Sequence, residues 1–393
     1  MSVSDKIKEM MGRSSWIRRM FEEGNRLKAL YGEDNVCDFS LGNPVIDPPF
    51  DFTSTLLSIV KEKIPQKHSY MPNAGYPEVR SAIASYLSEE QNADVTGKHV
   101  VITCGAGGGL NVVLKTIINP DDTVVVSVPY FVEYATYVDN HGGRLETVPC
   151  MENFDPDMEA LSKTITKKTA AVIINSPNNP SGHIYSEDVL KELSRVLEQK
   201  SIENGRTIYL ISDEPYRKIV FDGKTVPSVF QAYRDSIIVS SYSKDLSIPG
   251  ERIGWAAVNP MARDAGEIVD GMILANRILG FVNAPALMQR VIQHLQGKSI
   301  DVSLYQRKRD LLCGGLEKLG YAFKKPEGAF YLFPGAPGGD DLKFVEALQK
   351  ELILTVPGRG FGLPGYFRIA FCVDDTVIIR SMDGFAQAIK AFQ

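Results

Sequence analysis

Ser-Ile-Ile-Val-Ser-Ser-Tyr-Ser-Lys-Asp-Leu-Ser-Ile-Pro-Gly-Glu-Arg-Ile-Gly-Trp, residues 236–255, carries the pattern on which the rest of the chain is organised. Ser236 to Ser240 reads as a short buried strand, Pro249-Gly250 as a turn, and Ile253 to Val258 as a second apolar strand. Lys244 stands at the exit of the first strand among small hydroxyls. An amine in that place can be desolvated, its pKa lowered, and can act as a nucleophile toward a carbonyl; a solvated surface lysine would occupy the same position. Arg252 adds a fixed guanidinium whose fork suits a phosphate.

Upstream of this stretch, short apolar runs alternate with helix-length segments. Val100 to Thr103, Thr123 to Val128, Ala170 to Asn175, Ile208 to Ser212 and Ile237 to Ser240 are Val/Ile-rich and bounded by turn residues. Such runs predict an α/β chain with a largely parallel sheet covered on both faces. One covering helix is legible in detail: Ser186 caps it, Glu187 and Asp188 suit its N-terminal dipole, and Val189, Leu190, Leu193, Val196 and Leu197 form its buried stripe. In open sheets of this kind ligands sit beyond the carboxyl ends of the strands.

The flanks read differently. Ser15 to Leu30 is an amphipathic segment with Ile17, Met20, Phe21 and Leu27 at helical spacing, and Arg13, Arg18 and Arg19 make a solvated basic face. Asp38 to Phe50 is rich in proline and reads as a crossing linker, and Pro77 opens a helix reaching about Leu87. From about Ala286 onward helices predominate: Val302 to Leu319 closed by Gly320, Asp341 to Leu352, and Thr376 to Phe392, with a strand at Phe367 to Phe371. That texture predicts a smaller α+β unit. The expected organisation is an N-terminal arm and part of the small domain over 1–46, a large domain over 47–285, and a small C-terminal domain over 286–393.

A chain of 393 residues with 44% hydrophobic and 23% charged residues is ordinary for a globular protein of two or so domains. A net charge of −5 argues against nucleic acid as the main partner. Cys37, Cys104, Cys150, Cys313 and Cys372 have neither disulfide-framework nor zinc-site spacing, so no metal is expected. The N-terminal residues lack the apolar core of a signal peptide and no run is long enough to span a bilayer, which makes no membrane and a reducing cytoplasm the expectation.

Four strand ends hold polar residues of specific chemistry. Thr103-Cys104-Gly105-Ala106-Gly107-Gly108-Gly109-Leu110 follows a strand and opens a helix, where backbone N–H groups converge on an anion; a tight strand-to-helix connection would use the same glycines. Ser176-Pro177-Asn178-Asn179-Pro180-Ser181-Gly182 sets two amides in a proline-bounded loop. Ser212-Asp213-Glu214-Pro215-Tyr216 puts a carboxylate directly after an apolar strand, where it needs a cationic partner such as a protonated pyridine, and a phenol one helical turn further on. With Lys244, Ser241 and Arg252, the inventory covers an aldehyde, a ring nitrogen, a ring oxygen and a phosphate.

These motifs, in this order from Leu41-Gly42 to Arg368, resemble the fold type I pyridoxal-phosphate enzymes, specifically the class I/II aminotransferases of aspartate aminotransferase type. The resemblance implies a mostly parallel seven-stranded sheet sandwiched by helices, with a smaller α+β domain. It implies pyridoxal 5′-phosphate joined through its aldehyde to Lys244, with Asp213 paired to the ring nitrogen and Tyr216 and Asn179 on the ring oxygen. Phosphate would fall to the backbone around Gly105, Ala106 and Gly107, to Ser241 and Arg252, and to Tyr70 of the neighbouring subunit. Phe131 would stack on the ring. Arg368 would clamp the substrate α-carboxylate beside Gly42, and Arg277 matches, within one residue, an arginine lent across a homodimer to a dicarboxylate; as the end of a surface helix it needs no such role. The reaction implied is ping-pong transamination between an L-amino acid and a 2-oxo acid, with Lys244 as general base.

The departures bear on substrate. Gly107, Gly108 and Gly109 stand where related enzymes carry a hydroxyl or lysine, and Phe131 lacks the indole N–H of aspartate-specific members. Alanine or aromatic amino acids are therefore alternatives to aspartate. The same scaffold also hosts β-eliminating lyases, and a non-catalytic pyridoxal-phosphate-binding regulator would need the cofactor set without turnover.

Overall fold

The computed structural model of the chain describes residues 3–12 and 16–392; Arg13 and Ser15, which enter the expected basic face and amphipathic segment, lie outside them. In chain order the strands are β1 (Cys37–Asp38), β2 (Val100–Thr103), β3 (Thr123–Ser127), β4 (Arg144–Val148), β5 (Thr169–Asn175), β6 (Tyr209–Asp213), β7 (Ser236–Ser241), β8 (Gly254–Val258), β9 (Tyr331–Leu332), β10 (Ile353–Leu354), β11 (Val356–Pro357) and β12 (Phe367–Ala370).

Seven of them form one sheet in the order β2-β8-β7-β6-β5-β3-β4. Every residue of β5 is buried, because helices cover both faces and each face of the strand has an apolar layer to meet. Alternation sorts the side chains: Val172, Ile174, Leu210 and Ile238 join the layer with Ile83, Leu87, Leu193 and Val291, while Ala171, Ile173, Ile211 and Ile237 join the layer with Val112, Val113, Ile268 and Met272. The helix Glu187–Asn204 starts as its sequence predicts, with Ser186 accepting from the Val189 N–H, and stops at Gly205 in the left-handed region (φ +63).

β8 is the exception to parallel order, running antiparallel to both β2 and β7. Its start therefore lies at the edge where its neighbours end: Gly254 pairs with Ser241 on one side and with Thr103 on the other. A reversed strand thus delivers Arg252 to the carboxyl edge of a parallel sheet.

A second apolar core gathers Met20, Phe39, Phe330, Phe344, Phe367, Ile378 and Phe385 around two small sheets, one pairing β1 with β10 and the other ordered β11-β12-β9. The segment predicted as a linker is thus partly structural: Cys37 pairs in parallel with Ile353, and Phe39 is fully buried. Its alternation spans too few residues to be read as a strand. β4 also escapes the sequence reading, since its residues Arg144, Glu146 and Thr147 are exposed on an edge strand and carry no apolar run. The helix Pro77–Gln91 outlasts its predicted end at Leu87 and closes on Asn92 in the left-handed region. The last helix is Asp375–Lys390, and Gly320 follows Val302–Lys318 at φ +84.

Candidate active site

The carboxyl ends of β2, β5, β6 and β7 open into a cleft of about 310 Å³ whose wall includes Lys244, Asp213, Asn179, Arg252 and Arg368. These residues come from four stretches distant in sequence: Asn179, Asp213 and Lys244 meet because parallel strands end on one edge, Arg252 precedes the reversed β8, and Arg368 comes from β12 of the smaller sheet.

Lys244 follows β7, and its amine donates to the Gly42 carbonyl at 2.7 Å while lying 5.3 Å from the centre of the Phe330 ring. Burial pushes the amine down to about 8; Arg368 and Arg252 add to the shift, and Cys372 opposes it. A side chain on Gly42 would run into the Tyr331 hydroxyl, so the carbonyl's approach to Lys244 depends on glycine there.

Asp213 closes β6 and is 5% exposed. Its Oδ2 accepts from the Tyr134 hydroxyl at 2.5 Å; Oδ1 is buried without a donor. Burial raises the carboxyl to about 7, the Tyr134 bond working against the shift and Glu214 with it. The Asn175 amide donates to the Asp213 carbonyl at 2.8 Å and its Oδ1 accepts from the Asn179 N–H at 2.6 Å, tying the loop after β5 to the end of β6. Tyr216 sits in a turn after Pro215 rather than on a helix. Its hydroxyl lies 2.9 Å from that of Tyr331.

Arg368 lies on β12 and is 2% exposed. It donates to Asn179 Oδ1 at 3.0 Å and to the Ser40 carbonyl at 2.6 Å, between the rings of Tyr331 and Phe361 at 4.6 and 4.8 Å. Its Nε has no acceptor. Burial lowers its pKa from the ordinary arginine value.

The helix Gly105–Ile117 begins beneath Arg252. Gly105 has φ +72, and a Cβ there would stand 2.8 Å from an Arg252 guanidinium nitrogen, so glycine serves both the turn and the close approach. Arg252 donates to the Pro249 carbonyl at 3.0 Å, and Ala106, Gly107 and Ser241 line the same corner. Phe131 meets Tyr134 edge-on at 5.5 Å and borders the cleft.

Two predicted residues are elsewhere. Tyr70 is 92% exposed and lines a separate surface hollow with Met71, Phe281 and Val282. Arg277 is exposed on Ala265–Ile278 and does not border the cleft. Tyr134, Asn175 and Tyr331 were absent from the predicted set. Tyr134 sits three residues beyond Phe131 and Asn175 is the polar residue that closes an apolar strand, signals too common to single them out.

The donor set fits pyridoxal phosphate. A buried, unpaired carboxylate oxygen answers a ring N–H, an amine with a lowered pKa answers an aldehyde, and a guanidinium over a glycine at a helix N-terminus answers a phosphate.

Residues 36–383 match the family described as aminotransferase class I and II. The chain is 31% identical to a probable aspartate aminotransferase of Methanocaldococcus jannaschii over 83% of its own length and 87% of that protein's. It is 30% identical to the aspartate/prephenate aminotransferase of Thermus thermophilus over 87% and 89%. Among solved structures, an amino transferase from Eubacterium rectale superimposes with a TM-score of 0.97 at 40% identity, covering all of both chains.

Proposed function

The chain belongs to the class I and II aminotransferases, and from that membership we propose that Lys244, Asp213 and Arg368 carry a pyridoxal-phosphate-dependent transamination of an L-amino acid with a 2-oxo acid, aspartate being the first donor to test. The observation that carries this reading is the convergence of a depressed amine, an unpaired buried carboxylate oxygen and a buried guanidinium on one cleft.

When bound, pyridoxal phosphate supplies the aldehyde that takes the amino group and the ring that accepts charge from the substrate α-carbon. Lys244 would hold the aldehyde, and its Nζ, when free, would remove the α-proton. A pKa of about 8 leaves roughly a tenth of that amine neutral at pH 7 and half at pH 8, against almost none for an ordinary lysine, so the base is both available and strong. Asp213 Oδ1 would hold the proton on the ring nitrogen, and Tyr134 fixes Oδ2 so that Oδ1 keeps its direction. Tyr216 and Asn179 would hydrogen-bond the ring oxygen. The Gly105–Gly107 backbone, Ser241 and Arg252 would hold the phosphate, and Phe131 would stack on the ring. Arg368 orients the α-carboxylate beside Gly42, and the Phe361 and Tyr331 rings keep its fork in plane.

A second reading of substrate follows from the lining. Among the described residues, the cations bordering the cleft are Lys244, Arg252 and Arg368, each already engaged, while Leu110, Phe131 and Tyr137 supply apolar surface. This favours alanine or an aromatic amino acid unless a partner chain adds a cation, for which Arg277 is the candidate. We propose a homodimer in which Tyr70 reaches the partner's phosphate, its 92% exposure supporting a role outside its own cleft. The division into residues 47–285 and 286–393 with 1–46 is supported by the second core around Phe39 and Phe367. The unpaired cysteines support a cytoplasmic setting, and no helix among the described residues is long and apolar enough to cross a membrane.

The test is a half-reaction: cofactor-loaded protein mixed with L-aspartate, L-alanine or L-phenylalanine, followed by the cofactor's absorbance. Conversion to the pyridoxamine form with release of the matching 2-oxo acid is expected. Ammonia and pyruvate released without that conversion from an amino acid with a β-leaving group, such as L-cysteine losing sulfide, would instead identify a β-eliminating lyase.

A further inference from the structure

Behind the cleft a buried histidine has a carboxylate at each ring nitrogen. His183 is 6% exposed; its Nε2 lies 2.6 Å from Asp155 Oδ1 and its Nδ1 3.3 Å from Glu327 Oε2. The three residues come from segments far apart in the chain. Asp155 belongs to the turn after β4. His183 ends the loop that carries Asn178 and Asn179, its carbonyl accepting from the Asn178 N–H at 2.9 Å. Glu327 precedes the run to Tyr331, and the N–H groups of Glu327 and Gly328 both donate to the Gly182 carbonyl, at 2.9 and 3.0 Å. Two further charges face the cluster: Lys324, with Nζ 3.1 Å from His183 Nδ1 and 2.9 Å from the Asn153 carbonyl, and Lys224, paired with Glu327. The Tyr185 ring meets the imidazole edge-on at 5.5 Å.

We propose that His183 is a positioning residue: as an imidazolium donating from Nε2 to Asp155 and from Nδ1 to Glu327, it holds the loop bearing Asn179 against the segment bearing Tyr331, and so sets one wall of the cleft according to pH. Burial disfavours charge on the ring and Lys324 adds to this, but the two carboxylates prevail and the ring keeps its proton above its ordinary pKa. When that proton leaves Nδ1, the nitrogen becomes an acceptor and Lys324 takes the place of Glu327 as its partner. Glu327 retains the Ile184 N–H, at 3.1 Å, and Lys224. The tie is exchanged rather than cut, which shifts the loop without releasing it. The sign follows: a raised folded pKa makes the stabilisation complete below about pH 6.5 and removes it as pH climbs through the folded value.

The test uses the cofactor-loaded protein with 13C-labelled histidine, in which the resonance absent from His183→Gln identifies the residue. Its midpoint is expected above about 6.5 and should fall in Glu327→Gln. The melting difference between wild type and His183→Gln should be widest near pH 6 and narrow toward about pH 9. The KM for L-aspartate should be about three- to tenfold higher in His183→Gln than in wild type at low pH, converging at high pH, with kcat nearly unchanged. A midpoint below 6.5, or a melting difference constant with pH, would overturn the proposal; Asp155→Asn supplies the same comparison should His183→Gln fail to fold. The kinetic measurement rests on the transamination reading. If no amino acid is turned over, that reading fails while resonance and melting still decide the role of His183.

Discussion

The Tyr134 hydroxyl donates to Asp213 Oδ2 across 2.5 Å, which leaves the other oxygen of the same carboxylate buried and unpaired. A hydrogen bond to a charged group contributes about 1.5–3 kcal/mol. Tyr134→Phe is therefore expected to weaken pyridoxal phosphate binding roughly 10- to 100-fold. Equilibrium dialysis of the cofactor-free protein measures this, and an unchanged dissociation constant would remove Tyr134 from the site.

Asp213 exacts a stability cost in the cofactor-free chain. Its carboxyl is raised from 3.8 to about 7 by burial, so between those values the folded state binds the proton more tightly than the unfolded one, and stability is lost as pH rises through that window. Asp213→Asn should melt higher than wild type without cofactor near pH 8, with a smaller difference near pH 5, while transamination slows by orders of magnitude. Calorimetry at the two pH values checks it; a difference independent of pH would count against an unpaired carboxylate.

Lys244 has the opposite slope. Its amine falls from 10.5 to about 8 on burial, so the folded state sheds its proton first and stability rises with pH between those values. Lys244→Met is expected to abolish turnover, to fold, and to melt above wild type near pH 7 with an advantage that shrinks toward pH 10. Residual multiple-turnover activity at wild-type rates would sink the catalytic assignment.

The homodimer with shared sites is tested by complementation. Lys244→Ala and Tyr70→Glu proteins, each inactive, are mixed under conditions that exchange subunits. In a mixed dimer, one pocket combines the intact Lys244 of one chain with the intact Tyr70 of the other, so up to about half of native activity per heterodimer should return. Sedimentation at the monomer mass, or mass-verified heterodimers without activity, would exclude this arrangement.

How much of this was legible in the sequence depended on whether a residue declares itself locally. Asp213, Lys244 and Asn179 stand at the ends of apolar strands, and the strand pattern alone places them on one edge. That Arg252 and Gly105 share a phosphate site was implied by the family resemblance and not by the strand pattern, because the reversal of β8 leaves no mark in its composition. Tyr134 and Tyr331 act through partners many residues away, and a buried phenol looks like any core aromatic until the pairing is seen. The brief pairing of β1 with β10 was hidden for the same reason: two residues are too few to show alternation.

That pairing also orders events during synthesis. Cys37 and Asp38 are made long before their partners Ile353 and Leu354, and Ser40 precedes Arg368, to which it is hydrogen-bonded, by 328 residues. At about 5–20 residues per second the wait is on the order of tens of seconds, long enough for the seven-stranded sheet to assemble first. Until then the N-terminal segment has Phe39 and no core to bury it in, which makes it the stretch that a nascent-chain chaperone would find exposed longest.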